Sequence, residues 1–410
     1  MNVRRRAAVF GAMWVLALSL SAASDAQPRP LRAQEFVPAE HPATEARQAP
    51  GSRLVLGYYV PYDASSWASL EAHVDQLDLV ALQWATIDAC GGLSSRDDQT
   101  LKAFARGRGL KIEPSLLTGS AWLNHQILTD DAVAAHAIEQ MVAYTLDESY
   151  DGFDLDLESI DASDRSALST FVGWLASALH DQGKLLTVAI PARDRDVTSG
   201  WSAAFDYAAI GAQADLVTVM AYEYRGPFSS PGSVAPIDWV TRVSAYASAQ
   251  IPPERLLLGL AFYGYDWNTT SGGASSVGYQ KAVALADYYQ TVPSLDPMQQ
   301  SLTFGYTAEA GAPTPTSPSA PTLAHEVTTR TAVACPNTPP PTPARTPTPA
   351  PSPGSLQDHQ VWLEESSSAA ARLGVARASG LRGVATWRLG LEDPGVWPLF
   401  EQWRGADQGR

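Results

Sequence analysis

The 410-residue chain is 45% hydrophobic and carries a formal net charge of −15. That length and apolar content suffice for one large core or two ordinary ones, and the acidity argues against nucleic acid or an anionic membrane as partner. Twelve tryptophans and 15 tyrosines suit a neutral ligand with apolar faces, such as a sugar, on which exposed rings stack, although core packing explains any single ring better.

The chain opens with "MNVRRRAAVFGAMWVLALSLSAASDAQ": three arginines, an uncharged run from Ala7 to Ala23, then small residues. This is the order of a secretory signal over residues 1–26, and an uncleaved membrane anchor is the alternative. The expected location is therefore secreted or extracytoplasmic, without stable membrane association. Residues 27–52 are rich in Pro, Ala and charge without periodicity and read as a flexible leader.

From residue 53 to 404, short apolar runs alternate with amphipathic stretches. The runs are "RLVLGYYV", "LDLVALQWATI", "LKIEPSLLT", "YDGFDLDLES", "LLTVAIPA", "ADLVTVMAYEY", "RLLLGLAFYGYDW" and "LRGVATWRLG". Stretches such as "DDAVAAHAIEQMVAYTLDES" and "DRSALSTFVGWLASALH" have helical spacing between them. Eight β-runs with helical crossovers predict an α/β fold, a closed (β/α)₈ TIM barrel, with a doubly wound open sheet as the alternative. One connection is abnormal. Between the seventh and eighth runs an insertion at about 268–356 includes "SVGYQKAVALADYYQ", with a helical pattern. It also holds "SLTFGY" and "LAHEVTTRTAVA", which read as strands of a small subdomain, and a Pro/Thr-rich tract at 336–354 that cannot build a packed core. Cys90 and Cys335 are the only cysteines. Cys90 ends the second run and Cys335 precedes the tract, so the expectation is one disulfide pinning the excursion to the rim, against two free thiols.

The fourth run carries the chemistry. On a strand, Phe153, Leu155 and Leu157 share one face while Asp154, Asp156 and Glu158 share the other. In a partly dry interior such a row shares protons, so at least one carboxyl stays protonated near neutral pH. Glu158, last in the row, falls at the C-terminal mouth of the barrel and is placed for a general acid. Three other readings compete. An edge strand facing water shows the same alternation. A divalent-metal site could use three carboxylates, but neither a His cluster nor a phosphate loop accompanies them. A two-carboxylate glycosidase needs acids on opposite sides of the bond, which one strand cannot easily supply. The arrangement left is one acid with a nucleophile from the substrate itself. No metal or cofactor is expected.

"DGFDLDLE" resembles the Asp-Gly-x-Asp-x-Asp-x-Glu signature of glycoside hydrolase family 18, the chitinases and endo-β-N-acetylglucosaminidases. "LVLGYYV", "VMAYEY", "LLLGLAFYGYDW" and "LRGVATWRLG" are similar to that family's first, sixth, seventh and eighth strands. The resemblance implies Glu158 as proton donor, Asp156 as the group orienting the 2-acetamido substituent, Asp154 as its proton-sharing partner, and Tyr222 as a hydrogen-bond donor to the acetamido oxygen. It also implies Trp387 as the floor of the sugar site, with Tyr58, Trp84, Met220, Glu223 and Tyr263 lining the cleft. Ordinary barrel packing is the competing account of Tyr58, Trp84, Met220 and Tyr263. "IEPSLLTG" lacks the Ser-x-Gly-Gly pattern common in chitinases, and Glu223 stands where many have Asp. These features look more like the bacterial branch of spore-cortex and cell-wall N-acetylglucosaminidases. The expectation is a monomeric, retaining hydrolase of β-1,4-linked N-acetylglucosamine polysaccharide, chitin or peptidoglycan. A non-catalytic sugar-binding protein on the same barrel is the alternative.

Overall fold

A computed structural model of the protein describes residues 53–312, 315, 325–337, 352 and 354–405. The signal segment, the leader and most of the Pro/Thr tract lie outside the described residues. Eight parallel strands form the central sheet: β1 (Leu54–Tyr59), β2 (Leu79–Ile87), β3 (Lys111–Thr118), β4 (Gly152–Leu157), β5 (Leu185–Pro191), β6 (Leu216–Met220), β7 (Leu256–Ala261) and β8 (Gly383–Trp387). β8 pairs with β1, with Leu54 beside Gly383, and β1 pairs with β2, with Leu56 beside Leu79. The sheet therefore closes on itself, as a barrel requires and a doubly wound sheet does not.

Helices begin where Asp and Ser side chains accept the first free backbone N–H groups. Asp63 caps Ala64–His73, Asp98 caps Gln99–Gly107, Ser120 caps Ala121–Thr129, Asp130 caps Asp131–Asp147 and Asp206 caps Tyr207–Gln213. The strands divide their side chains between two cores. Val55, Val80, Leu82, Phe153, Leu155 and Leu157 pack outward among the helices, whereas Leu54, Leu56, Tyr58, Leu79, Ala81 and Leu257 fill the barrel. At its base one device recurs. Asp78, Asp151 and Asp215 each stand just before a strand, and each accepts the N–H of a residue on the neighbouring strand, Val55, Ile112 and Leu186, at 2.8–2.9 Å. Asp151, the first acid of the signature, is thus a strand clamp.

The seventh run is two strands. After Ala261 the chain leaves the barrel, and Tyr263–Asn268 joins an antiparallel five-stranded sheet with Ala274–Gly278, Leu356–Leu363, Ser301–Glu309 and Ser294–Asp296. The helix Tyr279–Tyr288 covers one face through Ala282, Leu285 and Ala286 against Phe304 and Val361. One expected subdomain strand goes elsewhere. Val327–Arg330, within "LAHEVTTRTAVA", pairs with Leu93–Asp98, the returning arm of the β2 hairpin, and not with the subdomain. Its polar Thr-Thr-Arg pattern suits an exposed edge better than a two-sided core. Cys90 and Cys335 form a disulfide with Cα atoms 5.7 Å apart, and the His325 ring bonds Asp98. The excursion therefore leaves the subdomain where Glu309 lies beside Leu356, is fastened to the barrel rim, and returns to the same place.

Candidate active site

Asp154 and Asp156 project from β4 into the barrel and are almost completely buried, with Glu158 half-buried at the mouth. Their face alternates with the outward Phe153, Leu155 and Leu157, as the period of a strand requires. Tyr58 Oη donates to Asp154 Oδ1 at 3.2 Å and Ser115 Oγ to Oδ2 at 2.6 Å. Burial pushes the Asp154 carboxyl up to about 7 in spite of these two donors, which pull the other way. Asp156 Oδ1 is shut from solvent with no hydrogen-bond partner. Burial first, then the charges of Asp154 and Glu158, hold Asp156 well above the ordinary carboxyl range. Glu158 is raised by burial and next by Glu223. Stacked buried acids favour protonated forms.

Glu158 is fixed through its backbone. Its N–H donates to Thr118 O at 2.7 Å, and its carbonyl oxygen accepts from Asn124 Nδ2 at 2.5 Å. Ser159 follows at φ 59°, and Glu223 adopts φ 62°. Non-glycine residues in this left-handed region cost of order 1–3 kcal/mol and concentrate at functional sites.

Tyr222 and Glu223 lie just past β6. The phenol of Tyr222 is held protonated by burial and by Asp156, Glu158 and Glu223, which makes it a hydrogen-bond donor facing the acids. Gly259 on β7 gives the ring its room, since a Cβ there would stand 3.0 Å from Tyr222 Cε1 and 2.6 Å from Val219 O. Tyr263 and Tyr265, on the first subdomain strand, both donate to Glu223 Oε1, the latter at 2.8 Å. The subdomain is thereby locked to the mouth. Trp387 ends β8 half-buried, edge-on to Tyr58 with ring centroids 5.6 Å apart. Met220 ends β6 almost wholly buried.

The structure thus brings Asp154, Asp156, Glu158, Tyr58, Tyr222, Glu223, Tyr263 and Trp387 to one end of the barrel. Trp84 stands apart. It shares the outward face of Val80 and Leu82, and its ring packs edge-on to the outward Tyr59 at 6.3 Å in the main core, which the period of a strand dictates; the register of β2 slips between Gln83 and Ala85. Sequence reasoning missed Ser115 and Glu113, two polar residues at alternate positions of the third run. The signal that singled out the fourth run was present there too. Glu113 is fully buried, neither of its oxygens has a partner, and a Cβ on Gly152 would stand 2.6 Å from Oε1. It was also blind to Asn124, which a helix supplies from outside the strand pattern.

A closed parallel barrel with stacked carboxyls at its C-terminal mouth belongs to the (β/α)₈ glycosidases. Residues 54–392 match the model of "Glycosyl hydrolases family 18", and the chain belongs to that family. YdhD of Bacillus subtilis (strain 168), a sporulation-specific glycosylase by name, is 26% identical over 67% of this chain and 56% of its own. A cortical fragment-lytic enzyme of the same organism is 25% identical over 68% of this chain and 55% of its own. The chain therefore spans about half the length of these two relatives. The crystal structure of a chitinase from Chromobacterium violaceum ATCC 12472 superimposes with a TM-score of 0.69 at 26% identity, over 86% of this chain and 99% of that one. Among the described residues no helix is long and apolar enough to cross a membrane.

Proposed function

We propose that the protein is a secreted hydrolase of β-1,4 bonds in N-acetylglucosamine-containing polysaccharide, chitin or peptidoglycan, acting with retention through the substrate's own acetamido group. The observation that carries this reading is the inward row Asp154, Asp156, Glu158, in which the middle acid keeps an unpartnered oxygen. Glu158, with its raised proton affinity, gives its proton to the leaving glycosidic oxygen. The acetamido carbonyl oxygen, tethered to the reacting ring, attacks the anomeric carbon as that bond breaks. Asp156 takes a hydrogen bond from the acetamido N–H as positive charge develops, and Tyr222 donates to the acetamido oxygen. Asp154, accepting from Tyr58 and Ser115, shares the proton that Asp156 must give up. Glu158 then takes a proton from the water that opens the cyclic ion.

Glu223 is a carboxylate that acts on Glu158 from beyond the end of β6. Two tyrosine hydroxyls occupy its Oε1, which favours a supporting role over that of a nucleophile. Product analysis on acetylated chitin oligomers beside purified peptidoglycan tests the substrate. Mass spectrometry of trapped turnover mixtures tests the mechanism. A covalent glycosyl ester on Glu223, or on any carboxylate, overturns it. The names of the spore-lytic and chitinolytic relatives support the substrate class, and the apolar amino-terminal run "AAVFGAMWVLALSLSAA" supports export.

A further inference from the structure

Among the buried polar atoms that lack partners, two are complementary, as donor and acceptor, and lie on the inward faces of β2 and β4. Asp156 Oδ1 is an acceptor without a donor, and Gln83 Nε2 is a donor without an acceptor. Leaving such groups unpaired costs about 1–3 kcal/mol each, which a protein tolerates where they meet during function. Gln83 points inward. It follows Leu79 and Ala81, which fill the barrel, at the same two-residue period, while Val80 and Leu82 pack outward. It is also the last residue of β2 in register with β3 before the slip, directly beside Ser115, and Ser115 lies beside Asp154. Trp84 continues the outward period of Val80 and Leu82, and the bulge that follows leaves Gln83 as the uppermost inward side chain of the regular part of β2.

The geometry allows the two atoms to meet. β2 and β4 are separated by β3, so their backbones lie about 9.5 Å apart across the sheet, and Asp156 is one inward step, roughly 6.5–7 Å, above the level of Gln83. The Cα atoms are then about 11–12 Å apart. An extended glutamine reaches roughly 5 Å from its Cα and an aspartate about 3.5 Å, and a hydrogen bond of about 2.9 Å closes the gap. Asp154 already accepts from Tyr58 and Ser115, whereas Asp156 Oδ1 has no donor.

We propose that Gln83 is a positioning residue for the reaction, whose side-chain N–H bonds the ionised form of Asp156 as it hands its proton to Asp154. The step is a proton transfer from an Asp156 oxygen to an Asp154 oxygen, with no other bond made or broken. It rests on the roles given to Asp156 and Asp154 above. The groups facing Asp156 are Asp154 and Glu158 on its own strand, Tyr58 from β1 and Tyr222 beyond β6, while Glu223 acts on Glu158 and Tyr222. All are acids or phenols. Gln83 therefore brings the pair a donor that carries no ionisable proton.

Gln83→Met and Gln83→Leu remove the donor at nearly constant volume and are assayed on acetylated chitin oligomers. A donor to the charged form lowers a carboxyl pKa, so its loss moves the acid limb of the kcat/KM profile toward neutral pH, by about half to one pH unit. The expected kcat falls about tenfold, KM stays within about twofold, and the melting temperature does not fall, because an orphaned buried donor has been removed. An unmoved acid limb with wild-type kcat overturns the proposal, and so does a lowered melting temperature with an unmoved limb, the mark of a merely structural residue. Glu158→Gln is run beside them. If it keeps wild-type turnover, the roles assigned to the acids fail. If it is inactive while Gln83→Met behaves as wild type, only the role of Gln83 fails.

Discussion

Replacing Asp154 by Asn should stabilise the protein at alkaline pH while destroying its activity. The carboxyl rises from its ordinary 3.8 to about 7, and a tenfold change in an equilibrium is worth about 1.4 kcal/mol, so ionising Asp154 in the fold costs about 4 kcal/mol more than in the unfolded chain. The unfolded chain loses this proton first. Between pH 4 and pH 7 it therefore binds fewer protons than the native state, stability falls as the pH rises through that window, and the loss is complete above it. Asn has no proton to lose. Near pH 4 the two proteins should be equally stable, or the variant slightly weaker, since an amide accepts less well from Ser115 and Tyr58. By pH 8 the variant should lead by up to about 4 kcal/mol, which at this size is roughly 5 °C in melting temperature. Relief of Asp156 from its neighbour's charge adds in the same direction. Thermal unfolding from pH 4.5 to 8, with turnover measured in parallel, reads both effects. Melting curves that run parallel across the range would falsify the argument that burial, and not the two donors, controls this carboxyl.

Glu158→Gln should lower kcat by about 10²–10⁴-fold while oligosaccharide affinity, read by calorimetry, stays within a few-fold. Fully deacetylated chitin oligomers should bind and remain uncut, and a thiazoline mimic of the cyclic ion should inhibit more tightly than substrate binds; efficient cleavage of the deacetylated chain refutes acetamido participation. Glu113→Gln should raise the melting temperature at pH 7 and not at pH 4, because burial raises this carboxyl above its ordinary 4.5 and the native state loses stability as the pH climbs past that value. Reducing the Cys90–Cys335 disulfide should cost about 2–4 kcal/mol, seen as a drop of several degrees in melting temperature, and the unfolded, unreduced protein should show no free thiol by titration.

The barrel was legible because each strand shows its burial on both faces as an unbroken apolar run, and the acids of β4 stood out as the exception to that rule. Their alternation with Phe153, Leu155 and Leu157 placed all three on one face, where the structure has them. Ser115 and Glu113 interrupt β3 in the same fashion. In the sequence they fall on a predicted strand, within "LKIEPSLLT", but a serine and a single glutamate make no row of like charges and so draw no attention to their shared face. For Trp84 the structure shows the packing alternative: the two-residue period that sends Leu79 and Ala81 inward sends Val80, Leu82 and Trp84 outward. The strand Val327–Arg330 was recognisable as a strand, but its partner was not, since an edge pairing depends on where two distant segments meet.

The fastened excursion can also be seen as an oversized hairpin loop. Ala310 N–H donates to Ser355 O at 2.8 Å, continuing the ladder in which Glu309 faces Leu356, so the two subdomain strands are already joined as if a short turn connected them. The entropy of closing a loop grows only with the logarithm of its length. Three doublings beyond a five-residue turn add about 2 kcal/mol, less than the upper range of a disulfide's contribution. The parts of residues 310–355 outside His325, Val327–Arg330 and Cys335, which fasten the excursion to the barrel, are in this sense a cassette, whose length and composition can drift without rethreading the barrel or moving Tyr263 and Tyr265 from Glu223.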